Sequence, residues 1–162
     1  MDYGLINAEL INKNNLAILY YGESNDINDV QFRLEVNGVY SPLKVSRFSR
    51  SDKLFRIELY SENEIVLGNV NVVKTNSGDE LGLDYRTYVT SREFDQLYCP
   101  VEEEFGAFYS KEETTFKFWS PISDKAFVKL EKNENNFVLL PMKRKDKNRR
   151  SEERRVGKEC RS

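Results

Sequence analysis

The sequence predicts an all-β chain: two successive β units and then a basic tail. Three observations carry that expectation. Short apolar runs alternate with period two, the spacing that puts every second side chain on one face of a strand. Turn signals rich in Gly, Asn, Asp and Pro recur about every 8–12 residues. No long stretch has the 3.6-residue apolar period of an amphipathic helix.

The elements follow in chain order. Asn15 to Tyr21 is an apolar run that ends at Gly22. Gln31 to Val36 alternates, placing Phe32, Leu34 and Val36 on one face. Asn37-Gly38 is the strongest short hairpin signal, so Val39 to Val45 is the expected return strand, with Pro42 suggesting an edge position. Lys53 to Tyr60 alternates again, with Phe55, Ile57 and Leu59 on the inner face. Asn69 to Thr75 and Leu83 to Thr90 are further expected strands around the turn Asn76-Ser77-Gly78-Asp79. Residues 1–95 therefore read as a small β-sandwich-like domain.

Ser91 to Pro100 reads as a connector, with a turn at Arg92 to Asp95. A second β unit follows at 96–142, with strands expected at Phe105–Tyr109, Thr114–Trp119, Lys125–Glu131 and Phe137–Met142. Residues 143–162 are polar apart from Val156 and Cys160 and are expected to be a disordered basic tail. Ten Lys/Arg against four Asp/Glu give this tail +6, so the first 142 residues carry −8 of the formal −2 total. Residues 150–162 also resemble the translation of a sequencing adaptor, so the natural reading frame is expected to end between Met142 and Arg149.

Composition narrows the function. Hydrophobic residues make up 39% and aromatics 12% of 162 residues, which suits a globular chain. The chain has no His, which excludes His-dependent acid/base catalysis, His triads and His-ligated metals. Two cysteines, Cys99 and Cys160, make no disulfide framework. The separated glycines form no phosphate-cradling loop. The tail lacks interleaved aromatics, so a nucleic-acid partner is not expected. No signal-peptide pattern or membrane-length apolar run is present, so a cytoplasmic chain without a membrane partner is expected. No cofactor or metal is expected.

The segment Phe94-Asp95, Tyr98, Phe105-Gly106-Ala107, Tyr109 and Thr114-Thr115-Phe116-Lys117-Phe118-Trp119-Ser120-Pro121, followed by Ala126 to Leu130, resembles type I pullulanases. These are bacterial α-1,6 debranching glycoside hydrolases. The likeness falls at the start of the family 48 carbohydrate-binding module that precedes their catalytic barrel. Residues 1–93 resemble the family's N-terminal β domain through Phe32-Arg33-Leu34-Glu35, Pro42-Leu43 and Ser77-Gly78. The chain departs from the pattern at 99–104, which reads Cys-Pro-Val-Glu-Glu-Glu where the family carries Tyr-Asp-Gly, and has Trp-Ser-Pro for Trp-Ala-Pro.

The resemblance implies an incomplete immunoglobulin-like sandwich at 96–142. Its complete form takes ~100 residues, and the barrel that would follow in cis takes ~250. It therefore implies a non-catalytic N-terminal fragment, with accessory α-glucan binding at most and no catalytic residue. Retaining glycosidases need two carboxylates ~5 Å apart; the runs Glu102-Glu103-Glu104, Glu112-Glu113 and Glu152-Glu153 read instead as solvated charge. The alternatives are a stand-alone β-sandwich carbohydrate-binding or interaction module, and the N-terminal part of a branching enzyme or isoamylase.

Alternation along 115–119 puts Phe116 and Phe118 on one face and Lys117 and Trp119 on the other. A flat ring beside a cation suits stacking on a sugar, so Trp119, Lys117 and Lys129 are the candidate glucan-binding residues; packing is the competing role for Trp119. Tyr20, Tyr21, Tyr40 and Tyr60 could form a second surface or pack within the sheet.

Overall fold

The computed structural model describes residues 4–23, 29–99, 104–133, 136–144 and 151–157. The chain divides into two compact units, Met1–Asp95 and Gln96–Ser162.

The first unit contains β1 (Gly4–Leu10), β2 (Asn15–Tyr21), β3 (Phe32–Val36), β4 (Val39–Ser51), β5 (Leu54–Tyr60), β6 (Asn71–Thr75) and β7 (Glu80–Gly82). Their order in the sheet is β1-β2-β5-β4-β3-β6-β7. The long β4 joins two layers: Val39 to Leu43 pair with β3, and Lys44 to Ser51 pair with β5. A register shift between Val45 and Arg47 lies just inside the β5 ladder, two residues past the change of partner, and such a bulge bends and twists a strand. The two ends of the sheet then meet. Glu9 bridges Asp84, the Leu10 amide donates to the Asp84 carbonyl at 2.8 Å, and the Asp84 amide donates to the Ala8 carbonyl at 2.8 Å.

Alternation produces the core. Leu16, Ile18 and Tyr20 of β2 pair with Leu59, Ile57 and Phe55 of β5, and directly paired residues share a face. All six are buried, as are Phe32, Leu34, Leu43 and Val73 across the other layer. The β3–β4 hairpin turns on Asn37 and Gly38, with φ of 51° and 85°. Positive φ at both central residues is the requirement of a type I′ turn, which Asn-Gly meets at low cost.

Four expectations are corrected here. β1 is a strand that alternation did not signal. β4 continues to Ser51 rather than stopping at Val45, because Arg47 to Ser51 each find a partner on β5 beyond the bulge at Ser46. Leu83 to Thr90 is not a strand: β7 lies earlier, Asp84 makes a single bridge, and Tyr88–Thr90 is a 3-10 turn with Tyr88 buried edge-on against Phe94. The connector is a short helix, α1 (Arg92–Tyr98), not a turn. Ser91 caps it, with extended backbone and its hydroxyl accepting from the Phe94 amide at 3.1 Å.

The second unit contains β8 (Gly106–Tyr109), β9 (Glu113–Trp119), β10 (Phe127–Asn133), β11 (Asn136–Pro141), β12 (Lys143–Arg144) and β13 (Ser151–Gly157). β10 and β11 form a hairpin, while β12-β13-β9-β8 form a second sheet. The expectation of a disordered tail is corrected for Lys143–Arg144 and Ser151–Gly157, which are strands. The reason is that a ladder needs only main-chain donors and acceptors, and β9 offers its second edge to residues 151–157 in unbroken register. Cys160, Glu102 and Glu103 lie outside the described residues.

Candidate carbohydrate-binding face

The β8–β9 hairpin closes at Ser110, whose hydroxyl accepts from the Glu113 amide at 3.0 Å and donates to the Glu113 carbonyl at 2.9 Å. Its register pairs Gly106 with Lys117, Ala107 with Phe116, Phe108 with Thr115 and Tyr109 with Thr114. One face therefore carries Phe108, Thr115, Lys117 and Trp119; the other carries Ala107, Tyr109, Phe116 and Phe118. The Lys117 ammonium lies 5.3 Å from the centre of the Phe108 ring. Phe108 is thus a member of the Lys117–Trp119 face that sequence reasoning missed. Its signal was cross-strand register, which alternation within one strand does not give.

Trp119 is half-buried, and its indole N–H donates to the Tyr98 carbonyl at 2.9 Å. That bond fixes one edge of the ring at the end of α1. Trp119 therefore has a structural duty alongside any ligand contact. Lys129 stands apart on β10. It pairs with Glu131 at 2.6 Å and lies 4.7 Å from the centre of the Phe137 ring. The structure joins Lys117 and Trp119 on one sheet face and puts Lys129 on the separate two-stranded sheet.

A groove of about 520 Å³ lies in this unit, lined by Phe116, Phe118, Phe127, Val128, Met142 and Lys125 among others. Phe118 is 53% exposed and Phe127 50% exposed. The lining is mainly apolar, which suits packing against other apolar groups more than recognition of sugar hydroxyls. Arg144 donates to the Ser123 carbonyl, and the Met142 amide donates to the Ala126 carbonyl at 2.9 Å, fixing the start and end of the hairpin.

The first unit's tyrosines do not form one surface. Tyr20 is buried in the core, whereas Tyr40 and Tyr60 are exposed. Tyr40 lies under Arg33, 4.9 Å from ring centre to guanidinium carbon. Lys74 bridges Glu35 and Glu80 at 2.8 Å each. The Lys74 hydrogen bond holds the Glu35 carboxyl below its ordinary range despite partial burial, and the two carboxylates push the Lys74 ammonium up. Arg86 does the same to Asp84 through side-chain and backbone bonds. Among the described residues, no three metal-ligating side chains cluster, and no helix is long and apolar enough to cross a membrane.

Fold and motif together define the class only as an all-β chain of two units. Residues 104–150 match the family carbohydrate-binding module 48 (isoamylase N-terminal domain). A pullulanase of Bacillus subtilis (strain 168) is 27% identical over 117 residues, covering 72% of this chain and 16% of that protein. The fold is shared with the pullulanase of Anoxybacillus sp. LM18-11 solved with maltotriose, at a TM-score of 0.81 and 21% identity over 97% of this chain and 22% of the other. It is shared too with the type I pullulanase of Bacillus subtilis str. 168 solved with maltose, at a TM-score of 0.79 and 24% identity over 97% and 22%. The chain spans about a sixth of the curated relative and about a fifth of these structures.

The chain thus shares its fold with about a fifth of these pullulanases, and residues 104–150 are similar to a carbohydrate-binding module.

Proposed function

We propose that residues 96–142 serve as an accessory α-glucan-binding segment of a debranching hydrolase. The complete protein would cleave α-1,6 bonds in pullulan, glycogen or starch-derived dextrins, and act in the cytoplasm. Residues 1–95 form its N-terminal β domain, and the catalytic barrel is its partner in cis. The observation that carries the binding proposal is the face shared by Phe108, Lys117 and Trp119, where a cation lies against one ring beside a second. Aromatic faces stack on sugar CH groups, and the ammonium donates to hydroxyls. Lys129 over Phe137 repeats the same pairing on β10 and would give a secondary contact.

The test is calorimetric titration of the full chain with maltotriose. Weak binding is expected, lost in Lys117→Ala and Phe108→Ala but kept in Arg33→Ala of the first unit. Binding that ignores both second-unit substitutions would reject this face, and no binding at millimolar sugar would reject the accessory role. Reducing-sugar release from pullulan by the chain alone should equal that of a blank.

A further inference from the structure

The second half of β4 has an open edge. Lys44 to Ser51 have β5 on one side and, among the described residues, no strand on the other. In this ladder Val45 lies opposite Leu59 and Phe48 opposite Ile57, and directly opposed residues share a face. Leu59 and Ile57 are 0% and 1% exposed, yet Val45 is 51% and Phe48 62% exposed. The apolar face thus runs from β5 onto β4 and stops uncovered at the edge. Val45 also lines a groove of about 440 Å³ beside Phe32 and Leu43.

The charge on this edge has one sign. β4 carries Lys44, Arg47 and Arg50 and no acid, within 142 residues whose total is −8. Lys44, Lys53, Arg56 and Lys74 each hold a carboxylate, on Glu62, Glu23, Glu9 and Glu35. Among the described residues Arg47 and Arg50 hold none. Arg47 stands opposite Glu58 in the ladder without an ion pair to it. Arg50 lies over the Phe55 ring, 5.5 Å from its centre, and donates to the Asp52 carbonyl. Both arginines are exposed. An open ladder, an uncovered apolar strip and two guanidiniums without a counter-charge therefore meet on one stretch of strand.

From this we propose that the open edge of β4 is a docking site for an extended acidic segment of a partner protein. Main-chain bonds supply the docking and alternate side chains the selectivity, as in other strand additions to a sheet edge. Apolar side chains at every second position would cover Phe48 and Val45. Acidic ones between them would meet Arg47 and, at the end of the segment, Arg50. Two copies of this edge repel one another through their cations, which favours a partner of opposite charge over a second copy. A nucleic acid would satisfy the charge but cannot continue the ladder. The site is independent of the proposed glucan-binding face, which belongs to the other unit.

Fluorescein-labelled Glu-Val-Glu-Val-Glu-Val-Glu is titrated with the full chain and read by anisotropy, while amide exchange locates the protected residues. Beside it run Lys-Val-Lys-Val-Lys-Val-Lys, Glu-Val-Glu-Pro-Glu-Val-Glu, whose proline interrupts the ladder, and an oligothymidylate. The acidic peptide is expected to bind about tenfold tighter than the basic one, the ratio a few opposite-charge cross-strand pairs supply, and to protect the amides of 45–51. Arg47→Glu and Phe48→Ser, both at exposed positions, should each weaken it about fivefold. Equal binding of acidic and basic peptides, undiminished binding of the proline peptide, or protection that falls outside 45–51 would each overturn the proposal. An oligothymidylate that binds as tightly as the acidic peptide would overturn it in favour of nucleic acid. A chain that light scattering finds dimeric, and that Arg47→Glu makes monomeric, would overturn it in favour of a second copy.

Discussion

The two units contain the same kinds of apolar residue and treat them differently. In the first, Leu16, Ile18, Phe55, Ile57 and Leu59 are almost wholly buried, because the sheet curls until β1 meets Asp84. In the second, Phe118, Phe127, Phe137 and Leu139 are each about half exposed, and Phe118 and Phe127 line an open groove. Alternation is equally good in β5 and β9. Period two therefore sorts side chains onto faces, but only closure of the sheet removes a face from water.

The sharpest way to break the comparison is a matched pair of truncations. Phe55→Ala should cost ~3–5 kcal/mol, since it empties a filled core. Phe118→Ala should change stability by less than about 1 kcal/mol, since its side chain is already half solvated. Denaturant unfolding, read by amide exchange for the first unit and Trp119 fluorescence for the second, gives both values. Equal costs would mean that the second unit is closed after all.

A smaller effect is expected at the β3–β4 turn. Gly38 has φ of 85°, and nothing lies within 4 Å of the place a Cβ would take. Gly38→Ala should therefore cost about 1 kcal/mol, all of it backbone strain. A cost near zero in the same denaturation experiment would show that the turn is not held in its positive-φ form.

The smallest effect is electrostatic and belongs to the first unit. Glu35 is held below the ordinary carboxylate range chiefly by its Lys74 hydrogen bond, and Asp84 by Arg86. A depressed carboxyl stabilises the fold above its unfolded pKa and loses that contribution as pH falls through its folded pKa. The melting temperature of the first unit should therefore drop modestly from about pH 5 downward. The slope should flatten in Glu35→Gln. Exposed pairs contribute little, so a steep acid transition carried by Glu35 would contradict this ranking.

Much of the first unit was legible in the sequence. β3 and β5 show unbroken alternation, β2 is an apolar run closed by Gly22, and Asn37-Gly38 names its own turn. β1 was hidden because the register shift between Leu5 and Asn7 breaks the period and leaves Ile6 exposed. The second half of β4 was hidden because it is a polar run with Phe48 as its main apolar residue, held by backbone pairing to β5. α1 is seven residues long, too short for a 3.6-residue period to emerge, although Ser91 with Glu93 and Asp95 in the first turn is a cap signal in retrospect. In the second unit, alternation placed Lys117 and Trp119 on one face. It did not supply Phe108, which needs cross-strand register, or the Tyr98 carbonyl, which lies 21 positions from Trp119.

The contrast between a closed and an open β unit is tested most directly by amide hydrogen exchange across the whole chain under native conditions. The account predicts slow exchange through β2, β5 and β3 and much faster exchange through β8, β10 and β11, with the change falling near residue 96. Uniformly slow exchange from β2 through β11 would contradict it.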